Sequence, residues 1–230
     1  SMDTLKEDRG FYASPRHRAV LLALLEHPAI ENSFFLTGGT ALSVFYLRHR
    51  VSDDLDLFTL ASVEMSELDH WLRTQWKGSC SKIKEGPSFL SFLLDETKVD
   101  FVHDPLSNGD ERPSAEFENG KRLRVDNLRN IVSNKLGAMV SRQEPKDFVD
   151  FFFIAKLDPG LDMETVWQDA RLKDAIFDDP PTAAFQLEEG LALIREKPDL
   201  LPELRMDFDS KEFLDYLTGL AKWIYGKHRP

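Results

Sequence analysis

A double glycine, Gly38-Gly39, is followed about fifteen positions later by two aspartates one residue apart, Asp54 and Asp56. Each motif points to a chemistry. Residues two apart in a β-strand share a face, so Asp54 and Asp56 point the same way while Leu55 and Leu57 enter the core. Two adjacent carboxylates repel unless a cation sits between them. Hard divalent ions such as Mg²⁺ take oxygen ligands and bridge carboxylates to phosphates. The run Gly38-Gly39-Thr40 lies where an apolar strand turns into a helix. Glycine lets the backbone turn tightly and approach a ligand. The helix start offers unpaired N–H groups and a positive dipole end, and Thr40 adds a hydroxyl, so a triphosphate is a natural guest. Taken singly, Gly-Gly reads as a plain turn and Asp-x-Asp as a solvated polar face of an edge strand. Their order along the chain favours a phosphate cradle beside a metal platform. Asp53, on the other face or at the strand start, is secondary.

A third carboxylate would complete a two-metal site. The run TKVDFVH supplies Asp100, flanked by Val99 and Phe101, which point to the opposite face. An acid in such a strand is either paired with a cation or working on a metal. Asp95 and Glu96 fall in a turn and read as solvated.

These residues need elements to hold them. Residues 15–28 predict a helix, with an apolar stripe at Val20, Leu21, Leu24 and Leu25 and Pro28 as its stop. Residues 34–37 predict a strand, about 40–47 a helix, and about 53–60 the strand of the paired aspartates. Residues 62–76 predict a helix with Ser62 near its N-cap, and 88–94 with 97–103 predict a hairpin. The Pro-, Gly- and Ser-rich stretch 104–120 reads as a loop or domain junction, and 121–125 as one further edge strand. Helices then follow at about 126–141, 145–157, 162–177, 182–196 and 210–225. The expected division is an α/β domain over 1–120 and a mainly helical domain over 121–230 that completes the active-site cleft.

Composition bounds the function. The 230 residues are 42% hydrophobic, enough for one large domain or two modest ones with real cores. The net charge of −11 counts against broad, non-specific nucleic-acid binding without excluding a local basic site. Cys80 is the only cysteine, so no internal disulfide forms and a reducing compartment fits best. The N-terminal run has no apolar core and is not a signal peptide, and no apolar run is long enough to span a bilayer. A cytoplasmic location is expected. The histidines have no zinc spacing with Cys80, no Gly-x-Ser-x-Gly elbow is present, and the glycine motif lacks a Walker lysine. The aromatic clusters at 151–153 and 223–225 read as core.

Lys135 falls on the apolar face of its predicted helix, with Leu128, Ile131 or Val132, and Met139. Either its stem packs and its head reaches solvent, or it enters a site and holds phosphate. On the next helix Pro145 suits the first turn. Asp147 or Asp150 could pair with Lys135 or Arg142. The stretch 121–146 carries an excess of basic residues in an otherwise acidic chain. If those side chains converge opposite Asp54 and Asp56, the cleft has a metal wall and a phosphate wall.

The run GGTAL…HRVSDDLDLF resembles the opening motif of the AbiEii/AbiGii toxin family of nucleotidyltransferases, within the polymerase-β-like superfamily. The likeness rests on Gly38, Gly39, Thr40, Ala41, Leu42, Arg50, Ser52, Asp54, Asp56 and Phe58. NKLGAMVSRQEPKDFVDFFFI, residues 134–154, is similar to the family's second block at Lys135, Arg142, Lys146, Asp147 and Asp150. Together the two blocks span about residues 33 to 157, and the C-terminal stretch beyond them resembles nothing further.

The resemblance implies an α+β fold: a polymerase-β-like nucleotidyltransferase domain with a mixed sheet, followed by a helical C-terminal region. It implies transfer of a nucleotidyl group from an NTP, with Mg²⁺ or Mn²⁺ on Asp54, Asp56 and Asp100. Gly38, Gly39 and Thr40 would cradle phosphates, and Lys135, with Arg50 or Arg142, would neutralise the triphosphate. One acid of the second block would also act, Asp150 ranking first for its more buried side of the helix. Further implications are an RNA acceptor, tRNA among them, a cognate antitoxin, and membership of a toxin–antitoxin or phage-defence pair. Two other readings stay open: a nucleotidyltransferase acting on a small molecule or protein hydroxyl, and a non-catalytic nucleotide- or partner-binding module.

Overall fold

The computed structural model of the chain describes residues 4–107 and 109–228. It divides into two compact units, one ending at Asn127 and the other starting at Leu128.

The first unit is built on a seven-stranded mixed sheet. Its strands are β1 (Phe34–Thr37), β2 (Asp54–Thr59), β3 (Cys80–Gly86), β4 (Phe89–Leu94), β5 (Thr97–His103), β6 (Ser114–Glu116) and β7 (Arg122–Val125), in the order β3-β4-β5-β2-β1-β7-β6. β2 pairs antiparallel with β1 and parallel with β5, and β1 pairs parallel with β7. One face is the core: Leu36, Leu55, Leu57, Val99, Phe101, Leu90, Phe92 and Val125 are buried there. The hairpin turn between β4 and β5 puts both Asp95 and Glu96 at positive φ, the conformation whose twist matches flanking strands.

The structure departs from the sequence reading in several places. Pro28 does not merely stop the first helix. α1 (Pro15–Leu24) ends earlier, and Pro28 opens a second short helix, α2 (Pro28–Ser33), at the first-turn position where its missing N–H costs nothing. α4 (Met65–Gln75) starts three residues later than Ser62 predicts, with Glu64 at the cap and no side-chain cap bond. The helix after β1 is α3 (Gly38–Ala41), continued by a π turn over Leu42–Tyr46. β3 and β6 have no counterpart in the sequence reading, and β7 is an interior strand because β6 pairs outside it. Both missed strands are sheet edges. β3 is largely exposed and carries two lysines and a glutamate, the charged character that keeps an edge from pairing with other chains.

The second unit is helical: α5 (Leu128–Ser141), α6 (Pro145–Leu157), α7 (Met163–Lys173), α8 (Pro180–Glu196) and α9 (Ser210–Gly226). Aspartates cap three of them. Asp162, Asp179 and Asp209 accept backbone N–H bonds at the starts of α7, α8 and α9, each such cap contributing about 1 kcal/mol. Phe148, Phe151 and Phe153 are fully buried. No described helix is long and apolar enough to cross a membrane.

Two histidines act as acceptors at the first helices. His17 Nδ1 accepts the Ala13 N–H and His27 Nδ1 accepts the Ala29 N–H, each at 3.1 Å. Burial pushes both imidazoles below the usual 6.5, against the opposing pull of Asp53 and Asp54 on His17 and of Glu67 on His27. The fold favours the neutral form of both, so the unfolded chain binds more protons as pH falls through 6.5. The melting temperature should therefore drop as the pH falls from 7 through 6.5. Thermal melts across that range check this. A flat profile would remove the two histidines from the stability account, and His17→Gln with His27→Gln should flatten it.

Candidate active site

The open face of the sheet carries the three predicted acids. Asp54 and Asp56 alternate with buried Leu55 and Leu57 along β2 and stay half-buried. β5 runs parallel beside β2, so that Asp56 sits directly across from Asp100 and Asp54 across from Lys98. Asp54, Asp56, Asp100 and Lys98 therefore share one face. Ser91 on β4 is the cross-strand neighbour of Asp100 and donates its hydroxyl to Asp100 Oδ1 at 2.5 Å. Lys98 Nζ lies 3.5 Å from Asp100 Oδ2. Partial burial weakens the Lys98 charge, but Asp100, Asp54 and Asp56 outweigh it and hold its pKa above the usual lysine range.

The glycine turn lies against these acids. Gly38 has φ +71°, a left-handed conformation suited to glycine. A Cβ there would come within 2.4 Å of Asp56 Oδ2, so the turn and the carboxylate occupy contiguous space. A Cβ on Gly39 would meet Arg50 Nη2 and Ser52 Oγ, each at 2.6 Å. Gly38 is thus called for by its backbone conformation, and at both glycines the neighbouring side chains stand where a Cβ would be. The π turn after them is closed by the Leu47 N–H on the Leu42 carbonyl at 2.7 Å; such wide turns often mark functional sites.

Two other nucleotide-binding candidates lie deeper than the sequence suggests. Thr40 is fully buried, and its hydroxyl donates to the Asp54 carbonyl at 2.5 Å. Its side chain therefore ties the glycine turn to β2 rather than facing a ligand. Arg50 is buried behind Gly39 and donates to the Val51 carbonyl at 3.1 Å. It supports the turn from within.

Thr37, across from Asp56 in the register, donates to Asp126 Oδ2 at 2.7 Å. Asp126 is fully buried and also binds Arg112 Nε at 2.9 Å. The Arg112 guanidinium in turn stacks on Phe35, 3.9 Å from the ring centroid. Beyond Phe35, on the same sheet face, a recess of about 470 Å³ is lined by Leu60, Ala61, Asp110, Glu111, Arg112, Arg122 and Arg124.

In the helical unit, Lys135, Asp147 and Asp150 are buried together. Lys135 Nζ binds Asp147 Oδ1 at 2.9 Å and Asp150 Oδ2 at 2.8 Å. Arg142, half-exposed, grips Asp147 through Nε at 2.9 Å and Nη2 at 3.0 Å. Burial raises the Asp147 pKa, but Lys135 and Arg142 overcome it and hold the carboxyl below the usual 3.8. Both acids, rather than one of them, engage the lysine.

The donors on the sheet face fit a hard divalent cation in kind: carboxylate oxygens on adjacent, registered strands. Among the described residues no three His, Cys, Asp or Glu side chains converge tightly enough to form a ready metal cage. The ammonium of Lys98 instead lies within the charge field of the three acids.

Sequence reading missed Lys98, Ser91, Thr37 and Asp126. Lys98 was findable: in Lys98-Val99-Asp100 the two-residue period puts lysine and acid on one face. Asp126 carried no such signal, since its partners Thr37 and Arg112 are distant along the chain.

The family model of the nucleotidyl transferase AbiEii toxins, from type IV toxin–antitoxin systems, matches residues 19–219. The chain belongs to the AbiEii family. The match extends beyond the two sequence blocks at both ends and takes in most of the helical unit. Among solved structures, the AbiEii-family chain resembles JHP933 from Helicobacter pylori, at 19% identity and TM-score 0.51, covering 92% of this chain and 91% of that one. A second H. pylori protein, provisionally described as a nucleotidyltransferase, matches at 19% identity and TM-score 0.52, covering 92% and 94%. At that identity the likeness is one of fold. No curated protein matches. As a member of the family the protein is a nucleotidyltransferase of toxin type.

Proposed function

We propose that this AbiEii-family enzyme moves a nucleotidyl group from an NTP to a hydroxyl of an RNA acceptor, tRNA ends included, with Mg²⁺ or Mn²⁺ held by Asp54, Asp56 and Asp100. The observation that carries the reading is the pairing of Asp56 with Asp100 directly beside the Gly38 turn. The acceptor oxygen attacks the α-phosphorus, the bond from that phosphorus to the β-bridging oxygen breaks, and pyrophosphate leaves. The acceptor's proton passes to a carboxylate of the same face. A divalent cation on these acids would lower the hydroxyl's pKa and neutralise the leaving pyrophosphate. The residues do the rest by position: Gly38 and Gly39 offer backbone N–H groups to the phosphates at a turn braced by Thr40 and Arg50. In the helical unit Arg142, with its half-exposed guanidinium, is the better candidate for neutralising nucleotide charge. Asp147 holds it, and Lys135 with Asp150 fixes that carboxylate in place. The arginines in the recess, Arg124 among them, offer contacts to the phosphates of an RNA acceptor. A cognate antitoxin, a role in phage defence and a cytoplasmic site of action complete the proposal.

Incubation with each α-³²P-labelled NTP, Mg²⁺ and total cellular RNA tests it. Label should move onto RNA from one NTP. Label on a small molecule or on protein instead would overturn the acceptor assignment, and Mg²⁺-independent nucleotide binding without pyrophosphate release would overturn the enzyme reading.

A further inference from the structure

We propose that Lys98 is a resident counter-cation of the acid face, sharing its site with the divalent cation and turning to the substrate phosphates when that cation binds. The inference rests on the metal reading above and concerns a residue that reading does not use.

The geometry is specific. Lys98 is the register partner of Asp54, and Asp100, two residues on, is the register partner of Asp56. The ammonium therefore belongs to the same square of four cross-strand positions as the three carboxylates. It reaches Asp100 Oδ2 at 3.5 Å, on the side of that carboxylate away from Ser91, which holds Oδ1. Asp56 lies against the Gly38 turn, its Oδ2 2.4 Å from where a Cβ would stand, so the backbone bounds the carboxylate on that side. Three acids this close together gain from a positive charge among them, and the strand pairing puts the Lys98 ammonium there. Its side chain is still 40% exposed, on a flexible stem with a compact, rotatable head. A divalent cation entering among the same oxygens repels the ammonium, which can swing outward without disturbing the sheet. The displaced head then lies next to the turn proposed to receive the triphosphate and neutralises charge there. A buried lysine such as Lys135, held between two acids, has no such freedom.

Calorimetric titration of the full chain with Mn²⁺, together with thermal melts in EDTA and in Mn²⁺, tests the proposal on wild type, Lys98→Met, Lys98→Arg and Asp54→Asn. Lys98→Met should bind Mn²⁺ about tenfold more tightly, because a competing cation is gone, a change worth about 1.4 kcal/mol. Its rise in melting temperature on adding Mn²⁺ should exceed that of wild type, while its Mn²⁺-dependent affinity for ATP falls. Lys98→Arg should stay near wild type. An unchanged or weaker Mn²⁺ affinity in Lys98→Met would overturn the proposal and leave an ordinary surface ion pair. The two levels fail differently. If wild type binds Mn²⁺ and Asp54→Asn does not, the metal reading holds whatever Lys98 does; if wild type binds none, the metal reading and the Lys98 proposal fall together.

Discussion

Asp56→Asn should lower nucleotidyl transfer by about a hundredfold or more while leaving the protein folded. The size follows from what the residue is proposed to do: transfer chemistry of this kind is mostly positioning and electrostatic stabilisation, and removing one such group typically costs a factor of about 10²–10³ or more. The sparing of the fold follows from where the residue lies. Asp56 is on the half-open face of β2, whereas the core contribution of that strand comes from Leu55 and Leu57 on the other side. Asparagine keeps the shape beside Gly38 and removes one of the negative charges packed against Asp54 and Asp100. In metal-free buffer the variant should therefore stay folded and melt close to the wild-type temperature. Steady-state transfer assays with melts in EDTA check both halves. Full activity in the variant would remove Asp56 from the site, and a collapse in stability would make it a structural acid.

Lys135→Ala should have the opposite profile, with a stability loss of about 3–5 kcal/mol, the usual result of leaving buried charges uncompensated. Asp147 and Asp150 are both fully buried and both bind the Lys135 ammonium. Asp147 keeps Arg142 when the lysine goes, whereas Asp150 loses the ammonium that holds its Oδ2 at 2.8 Å. A domain of this size has a total stability of only about 5–15 kcal/mol, so the helical unit would be close to unfolding. Urea denaturation followed by circular dichroism measures the loss. Lys135→Met combined with Asp150→Asn should recover much of it, because the uncompensated charge is then gone as well. A cost under about 1 kcal/mol for Lys135→Ala would mean that the network is solvated. Loss of activity in Lys135→Ala therefore counts as evidence on phosphate binding only after correction for folded fraction, and Arg142→Ala is the cleaner probe because its side chain is half-exposed.

Much of the fold was legible because its signals are local. The alternation in β2 and β5, the turn chemistry at Asp95-Glu96, and the apolar helices with aspartate or proline at their starts each depend on residues close together in the chain. What escaped was non-local or atypical. β3 and β6 are charged or very short edge strands whose strand character comes from a neighbour rather than from their own composition. Thr40 and Arg50 have the right residue types for phosphate contacts, yet packing turned both inward, toward the Asp54 carbonyl and the back of Gly39. Lys135 sat on an apolar face, which left open whether its head reached solvent or a partner. Two acids one turn apart on α6 supplied the partners.

The amino-acid sequence by itself determined which residues share a face: Asp54 with Asp56, and Lys98 with Asp100. Strand periodicity is a property of the local backbone and needs no partner. It also determined that a tight glycine turn precedes them, and two motifs sufficient to place the chain in a family. Only the tertiary structure decided that β5 lies beside β2, parallel and in a register that sets Asp100 against Asp56 and Lys98 against Asp54. That choice follows from burying the leucine and phenylalanine faces of both strands at once. A slip of one residue would turn the acids into the core, so the burial of Leu55, Leu57, Val99 and Phe101 on one side is what assembles the charged site on the other.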